Sequence, residues 1–313
     1  MGVTATIEDS GATAQRGVRP QAARLHRPGG LQWILPAMVV SVGLLYYCIV
    51  YTGYISTLDW DGTSPLRQFV GAANYRHLLH DPVFRGALWH TVVFFVVTFA
   101  AQVVLGVVFA ALLHSRLYLR TLYKVLIFLP AVLATATTAP VFRAIYAPDG
   151  QLNGLLRTVG LGSLAQTWVA NGTFSLLIVI TVQIWQSTGV VFVLYYAAMR
   201  QIEPEILEAA RIDGARDLRV LSSIICPSVR WTTVAIAILT AIGSLKTFDI
   251  PFLITSGGPS YATEFLGTEI YRVSVSYAQV GYGAALSMVL LVLALSTAVI
   301  INIGGRRGGR TGV

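Results

Sequence analysis

Two sets of polar groups in this 313-residue chain have the types and spacing to do chemistry. The first is a charged stretch from Arg200 to Pro227, with Glu203, Glu205, Glu208, Asp213 and Asp217 set against Arg211, Arg216 and Arg219. Five of the chain's 14 acidic residues fall there. The second is a pair of polar stripes inside apolar runs. Gln183, Gln186, Ser187 and Val190 recur at helical spacing beside Trp185, and Thr240, Ser244 and Thr247 are spaced i, i+4, i+7. Such hydroxyls and amides can exchange hydrogen bonds with a neutral polyhydroxylated molecule, and an indole can stack on it. The plain alternative for Ser and Thr in apolar helices is bonding from helix to helix, worth about 0.6–2 kcal/mol each. A glutamine, donor and acceptor at once, is wasteful in that role.

Hydrolytic chemistry is not written into the chain. A phosphate-binding loop needs Gly-Lys-Ser/Thr, but Lys124 follows Tyr123 and Lys246 follows Leu245. His26, His77, His80, His90 and His114 form no His-Glu-x-x-His pattern, and no Gly-x-Ser-x-Gly elbow occurs. Neither metal nor catalytic residues are expected. Cys48 and Cys226 suggest no disulfide framework.

Of the chain's residues, 55% are hydrophobic and 12% charged, about half the charge usual in soluble domains. That combination predicts an all-α integral membrane protein. A bilayer core of about 30 Å needs about 20 apolar residues in helix, and six segments meet the test: 32–54, 88–113, 122–147, 174–199, 229–251 and 280–303. Pro36, Gly106, Pro130, Pro140, Gln183 and Lys246 interrupt them. Residues 1–30 suggest a disordered cytoplasmic tail, 31–304 the membrane domain and 305–313 a basic cytoplasmic tail. The run near the N-terminus is longer than a signal peptide's apolar region and lacks a small-residue cleavage site.

Lys and Arg set the orientation. With the N-terminus inside, Arg16, Arg19, Arg24, Arg27, Arg116, Arg120, Lys124, Arg200, Arg211, Arg216, Arg219, Arg230, Arg306, Arg307 and Arg310 lie inside. Only Arg67, Arg76, Arg85, Arg143, Arg157 and Arg272 lie outside, with Lys246 inside a run. Both termini and the 200–228 loop are therefore expected in the cytoplasm. Lys246 and Asp249 are close enough in sequence to form an ion pair.

The 200–228 stretch predicts a helix opened by Pro204, whose missing N–H costs little in a first turn. Glu203 and Glu205 complement the helix dipole there, and Gly214 stops the helix. A second helix is expected from Ala215 to about Ile225, ended by Pro227. Glu208 beside the small Ala209 and Ala210 suits insertion into a groove on another protein. A solvated connector is the plainer alternative.

Glu208-Ala-Ala-x-x-x-Gly214, with Ile224-Ile-Cys-Pro227, resembles the EAA loop of ABC-importer permeases. The resemblance extends to Gly71-x-x-Asn74-Tyr75, Phe128-Leu-Pro130, Ile202-x-Pro204, Asp213-Gly-Ala, Thr255-Ser-Gly-Gly-Pro259 and Gly281-Tyr-Gly-Ala-Ala-Leu-Ser287. It is similar to carbohydrate-uptake permeases of the maltose, lactose and glycerol-phosphate type, over about residues 70–303. Cys226 departs from the family's usual Leu, and the large extra periplasmic domain of the maltose subunit has no counterpart.

The resemblance implies six transmembrane helices with a cytoplasmic coupling helix. Glu203, Pro204, Glu208, Ala209, Ala210, Asp213 and Gly214 would dock on a cytoplasmic ATPase. It implies a second homologous permease subunit in a heterodimer, two copies of the ATPase, and an extracytoplasmic sugar-binding protein. ATP and Mg would sit on the ATPase, with no cofactor on this chain. The setting is a bacterial plasma membrane. It also supports Gln183, Trp185, Gln186, Ser187, Val190, Thr240, Ser244 and Thr247 as the substrate pathway, since the same helix positions line the sugar site in the maltose-type subunit. A polyol or phosphorylated solute, or a non-transporting scaffold, are the competing readings.

Overall fold

The structure, a computed structural model, describes Gly2 and residues 29–114 and 118–308. The expected N-terminal tail with Arg16, Arg19, Arg24, Arg27 and His26 lies outside the described residues, as do Arg116 and Arg310. The chain divides into two units, Met1–Cys48 and Ile49–Val313.

Helix dominates. In order come α1 (Gly29–Ile55), the short antiparallel strands β1 (Leu58–Asp59) and β2 (Gln68–Phe69), α2 (Ala73–His80) and α3 (Pro82–His114). Then follow α4 (Arg120–Val132), α5 (Thr135–Ile145), α6 (Gln151–Thr158), α7 (Gly172–Met199), α8 (Pro204–Ile212), α9 (Asp217–Val220) and α10 (Cys226–Ser228). The last four are α11 (Arg230–Leu245), α12 (Asp249–Thr255), α13 (Leu266–Tyr271) and α14 (Val280–Gly308). Among the described residues, four helices are long and apolar enough to cross a membrane, and the number rises to six if each of two bent pairs counts as one span. In such helices every backbone polar group is satisfied internally, which the bilayer demands.

Two expected boundaries are corrected. The single helix expected over 122–147 is two, α4 and α5, meeting at 94°. Leu133, with ψ 131°, is extended, and the side-chain amide of Gln186 donates to its carbonyl (3.0 Å). The helix expected over 229–251 stops at Leu245; Lys246 caps it, and α12 restarts at Asp249. Lys246 and Asp249 are not paired: the ion pair among the described residues joins Arg272 to Glu264. Gly106 does not break α3. It lets α7 approach, because a Cβ there would meet Val191 at 2.7 Å and Tyr195 at 2.9 Å.

Three apolar clusters hold the second unit. One joins the ends of α3 and α7 to α11 through Ala110, Phe192, Tyr195, Met199 and Ile236. A second gathers Phe94, Ala139, Val179, Val182, Ile254 and Phe265. A third packs Leu78, Ala87 and Leu266 against Leu286. Several of the singled-out motifs are joints in this frame. Asn74 donates to the carbonyls of Ser56 and Leu58 (both 2.9 Å), and Tyr75 shares a hydrogen bond with Ser56 (2.6 Å). Gly257, at φ +80°, lies against the Glu264–Arg272 pair, where a Cβ would collide with both side chains. Gly281 and Gly283 likewise leave no room for a Cβ beside the Leu58 carbonyl and the Ser274 hydroxyl.

Candidate functional site

The charged segment folds as helix, glycine turn, helix. Pro204 opens α8, and Glu203 holds the extended residue before it. At the other end, Gly214 takes φ +79°. Its N–H bonds to the Arg211 carbonyl (3.0 Å) and that of Ala215 to the Ala210 carbonyl (2.9 Å). Those two bonds are the Schellman closure of a helix, which needs a left-handed residue after the cap. Nothing lies within 4 Å of a Cβ built at Gly214, so the position selects glycine by backbone conformation alone.

Beyond the turn the second helix starts at Asp217, not Ala215, and Pro227 does not end it. The chain winds through a wide turn at Leu221–Ile225 into α10, with Pro227 in the first turn, where no N–H is required. The bend of 69° comes later, between Asp217–Ser228 and α11.

One side of this segment packs on its own chain. Ile202, Leu207, Ala210 and Ala215 lie against the cluster of Val107, Met199, Val220 and Ile225. Ala210 therefore belongs to the internal side. Glu203, Glu205, Glu208, Ala209 and Asp213 are exposed, and so are Ile212 (86%) and Leu218 (80%). None of the segment's carboxylates pairs with Arg211, Arg216 or Arg219 among the described residues. The segment thus presents acids without an arginine partner around exposed aliphatic side chains.

The second feature is a cavity of about 270 Å³ between α3, α7 and α11. Gln183, Ser187 and Val190 of α7 and Thr240 and Ser244 of α11 line it, as their spacing predicts. Within it, Gln183 donates to Ser187 (2.6 Å) and Ser244 to the Thr240 carbonyl (2.7 Å). Thr240 donates to Gln102 (3.2 Å). No charged side chain is in the wall.

The remaining three predicted residues lie elsewhere. Gln186 turns to the break between α4 and α5, bonding Thr135 (3.1 Å) as well as the Leu133 carbonyl. Trp185 stands edge-on to Phe142, 5.1 Å between ring centres. Thr247 falls beyond the end of α11. Conversely, the α3 wall of Phe94, Thr98 and Gln102 escaped the sequence reading, although their i, i+4, i+8 spacing marks one helix face.

Comparison with known proteins agrees with this architecture. Residues 102–307 match the family model described as binding-protein-dependent transport system inner membrane component. The Probable ABC transporter permease protein YurN of Bacillus subtilis is 32% identical over 271 residues, 86% of this chain and 92% of that one. The lactose transport system permease protein LacF of Rhizobium radiobacter is 27% identical over 88% of this chain and 93% of that one. A chain of a bacterial alginate ABC transporter, solved with an alginate pentasaccharide-bound periplasmic protein, superposes with a TM-score of 0.77 at 22% identity. The superposition covers 93% of this chain and 100% of that one, which shows a shared fold. The chain therefore belongs to the family of membrane-embedded inner membrane components of binding-protein-dependent transport systems.

Proposed function

We propose that this chain is one of two membrane subunits of an ATP-driven importer, passing a sugar received from an extracytoplasmic binding protein. Six membrane crossings, counting each bent pair once, leave both termini and α8 in the cytoplasm; the distribution of Lys and Arg supports that orientation. The exposed side of α8 then meets a cytoplasmic ATPase, two copies of which bind ATP and Mg and drive the pair of permeases. The partner permease is a homologue of this chain. The relatives named for sugar or lactose transport support the substrate class.

The observation that carries the sugar reading is the cavity wall, made of hydroxyls, amides and apolar surface without a charge. Burying an anionic solute there would leave its charge uncompensated, which is costly in a low-dielectric site. None of Lys124, Arg143, Arg230 and Lys246, the cations within the predicted spans, lines the cavity. A phosphorylated solute is thus disfavoured, and a polyol is the nearer relative of a sugar. A scaffold would have no use for a polar cavity between spans.

Competition against uptake by the assembled transporter in proteoliposomes tests this. Neutral sugars should compete with the transported label and sugar phosphates should not. Competition by the phosphates alone would overturn the neutral-sugar reading.

A further inference from the structure

Thr98 stands apart from the other hydroxyls carried on the helices. Thr91 donates to the Ala87 carbonyl (2.8 Å), Thr181 to Leu177 (2.8 Å), Thr188 to Ile184 (2.5 Å) and Ser287 to Gly283 (2.9 Å). Each returns to the carbonyl four residues earlier, the usual way a hydroxyl is satisfied in an apolar helix. Thr98 does not. The residue is 1% exposed, and its Oγ1 is buried with no hydrogen-bond partner. It lines the cavity between Phe94 and Gln102.

A buried hydroxyl without a partner is a standing cost that folded proteins rarely keep. The neighbours offer no remedy within the wall. Thr240 already donates to Gln102 (3.2 Å), and Gln183 to Ser187 (2.6 Å). Among the described residues of the wall, Thr98 is the one with a fully buried side-chain polar atom that has no partner, one helical turn from an aromatic ring and one from an amide.

We propose that Thr98 determines specificity for the transported solute, its Oγ1 hydrogen-bonding a hydroxyl of a neutral polyhydroxylated ligand lodged between the Phe94 ring and the Gln102–Thr240 pair. This rests on the sugar-importer reading and adds a residue and a contact to it. The threonine methyl keeps the site narrow while the hydroxyl supplies the polar contact. Ser preserves that contact, whereas Val keeps the shape and removes it.

The test uses the complete transporter with its ATPase and binding protein in proteoliposomes, and a panel of radiolabelled neutral mono- and disaccharides. Thr98→Val, Thr98→Ser and Gln183→Ala are compared with wild type for the sugar that wild type takes up. Thr98→Val should raise KM about 2- to 10-fold, the range of one neutral hydrogen bond, with Thr98→Ser close to wild type. The melting temperature of Thr98→Val should not fall, because no internal hydrogen bond is lost. An unchanged KM in Thr98→Val with a raised KM in Gln183→Ala would overturn the role of Thr98 and leave the cavity reading standing. Unchanged KM in both variants, or no uptake of any panel sugar by wild type, would overturn the cavity reading itself. A lowered melting temperature in Thr98→Val, restored by Ser, would show that the hydroxyl serves packing and overturn the proposal.

Discussion

The hydroxyl of Thr240 on α11 donates to the side-chain oxygen of Gln102 on α3 across 3.2 Å, linking two helices far apart in sequence at the cavity wall. Gln102 is 2% exposed, so losing its donor is expensive. Thr240→Val should destabilise the chain by about 1–3 kcal/mol, the cost of leaving a buried acceptor unpaired. Thr240→Val with Gln102→Leu should cost less than the sum of the single changes, since both polar groups then leave together. Thermal unfolding of the four forms of the assembled transporter measures this coupling.

Gly257 holds its left-handed turn against the Glu264–Arg272 pair. The Glu264 side chain is fully buried, and that of Arg272 is 22% exposed. Arg272→Ala strands a buried carboxylate and should cost about 3–5 kcal/mol, read as a drop in melting temperature. Adding Glu264→Gln should recover part of that loss, because the stranded charge goes with it. An Arg272→Ala protein as stable as wild type would show that the pair contributes nothing.

Glu269 gives a pH signature. Both its carboxylate oxygens are buried without a hydrogen-bond partner. Burial, with the like charges of Asp81 and Glu264 adding to it and Arg272 opposing, pushes its pKa from 4.5 up to about 8. The folded chain thus binds this proton more tightly than the unfolded chain. The stability it contributes is full below pH 4.5, is lost as pH rises toward about 8, and stays level above that. Melting temperature should accordingly fall between pH 5 and about 8 in wild type. In Glu269→Gln that fall should shrink, because the amide has no proton to lose.

The glycine turn after α8 is strained for any other residue by conformation, not by crowding. Gly214→Ala should cost about 1–3 kcal/mol, the usual penalty for a side chain in that region. Gly214→Leu should insert normally and yet abolish uptake, because the turn sets the direction of the docking helix. Normal uptake by that variant would remove the turn from the coupling account.

Much of this was legible in the sequence, for identifiable reasons. Thick apolar runs give membrane helices because nothing else satisfies the backbone in lipid. Pro204 and Gly214 bracket α8 because each fits one end of a helix and not the other. Gln183, Ser187, Thr240 and Ser244 fell on the cavity because a helix repeats its face every three to four residues. Gln186 fell on that face by the same rule, but the break at Leu133 offered its amide a bare carbonyl, and a local need outranked the periodicity. Thr247 was misplaced because the helix ends at Leu245, which no strong stop signal announces. Thr98 and Gln102 were overlooked in a 33-residue helix so apolar that two polar residues pass for ordinary helix contacts. Only the buried, unpaired hydroxyl, a fact of three dimensions, sets Thr98 apart.

The central claim is that α8 couples an ATPase to passage of a sugar through the cavity of α3, α7 and α11. ATP hydrolysis by the complete transporter in proteoliposomes, measured with and without the binding protein and its sugar, tests it most directly. The account predicts a several-fold rise only when binding protein and sugar are both present, and loss of that rise in Gly214→Leu. Hydrolysis indifferent to binding protein and sugar, or a full response in Gly214→Leu, would contradict it.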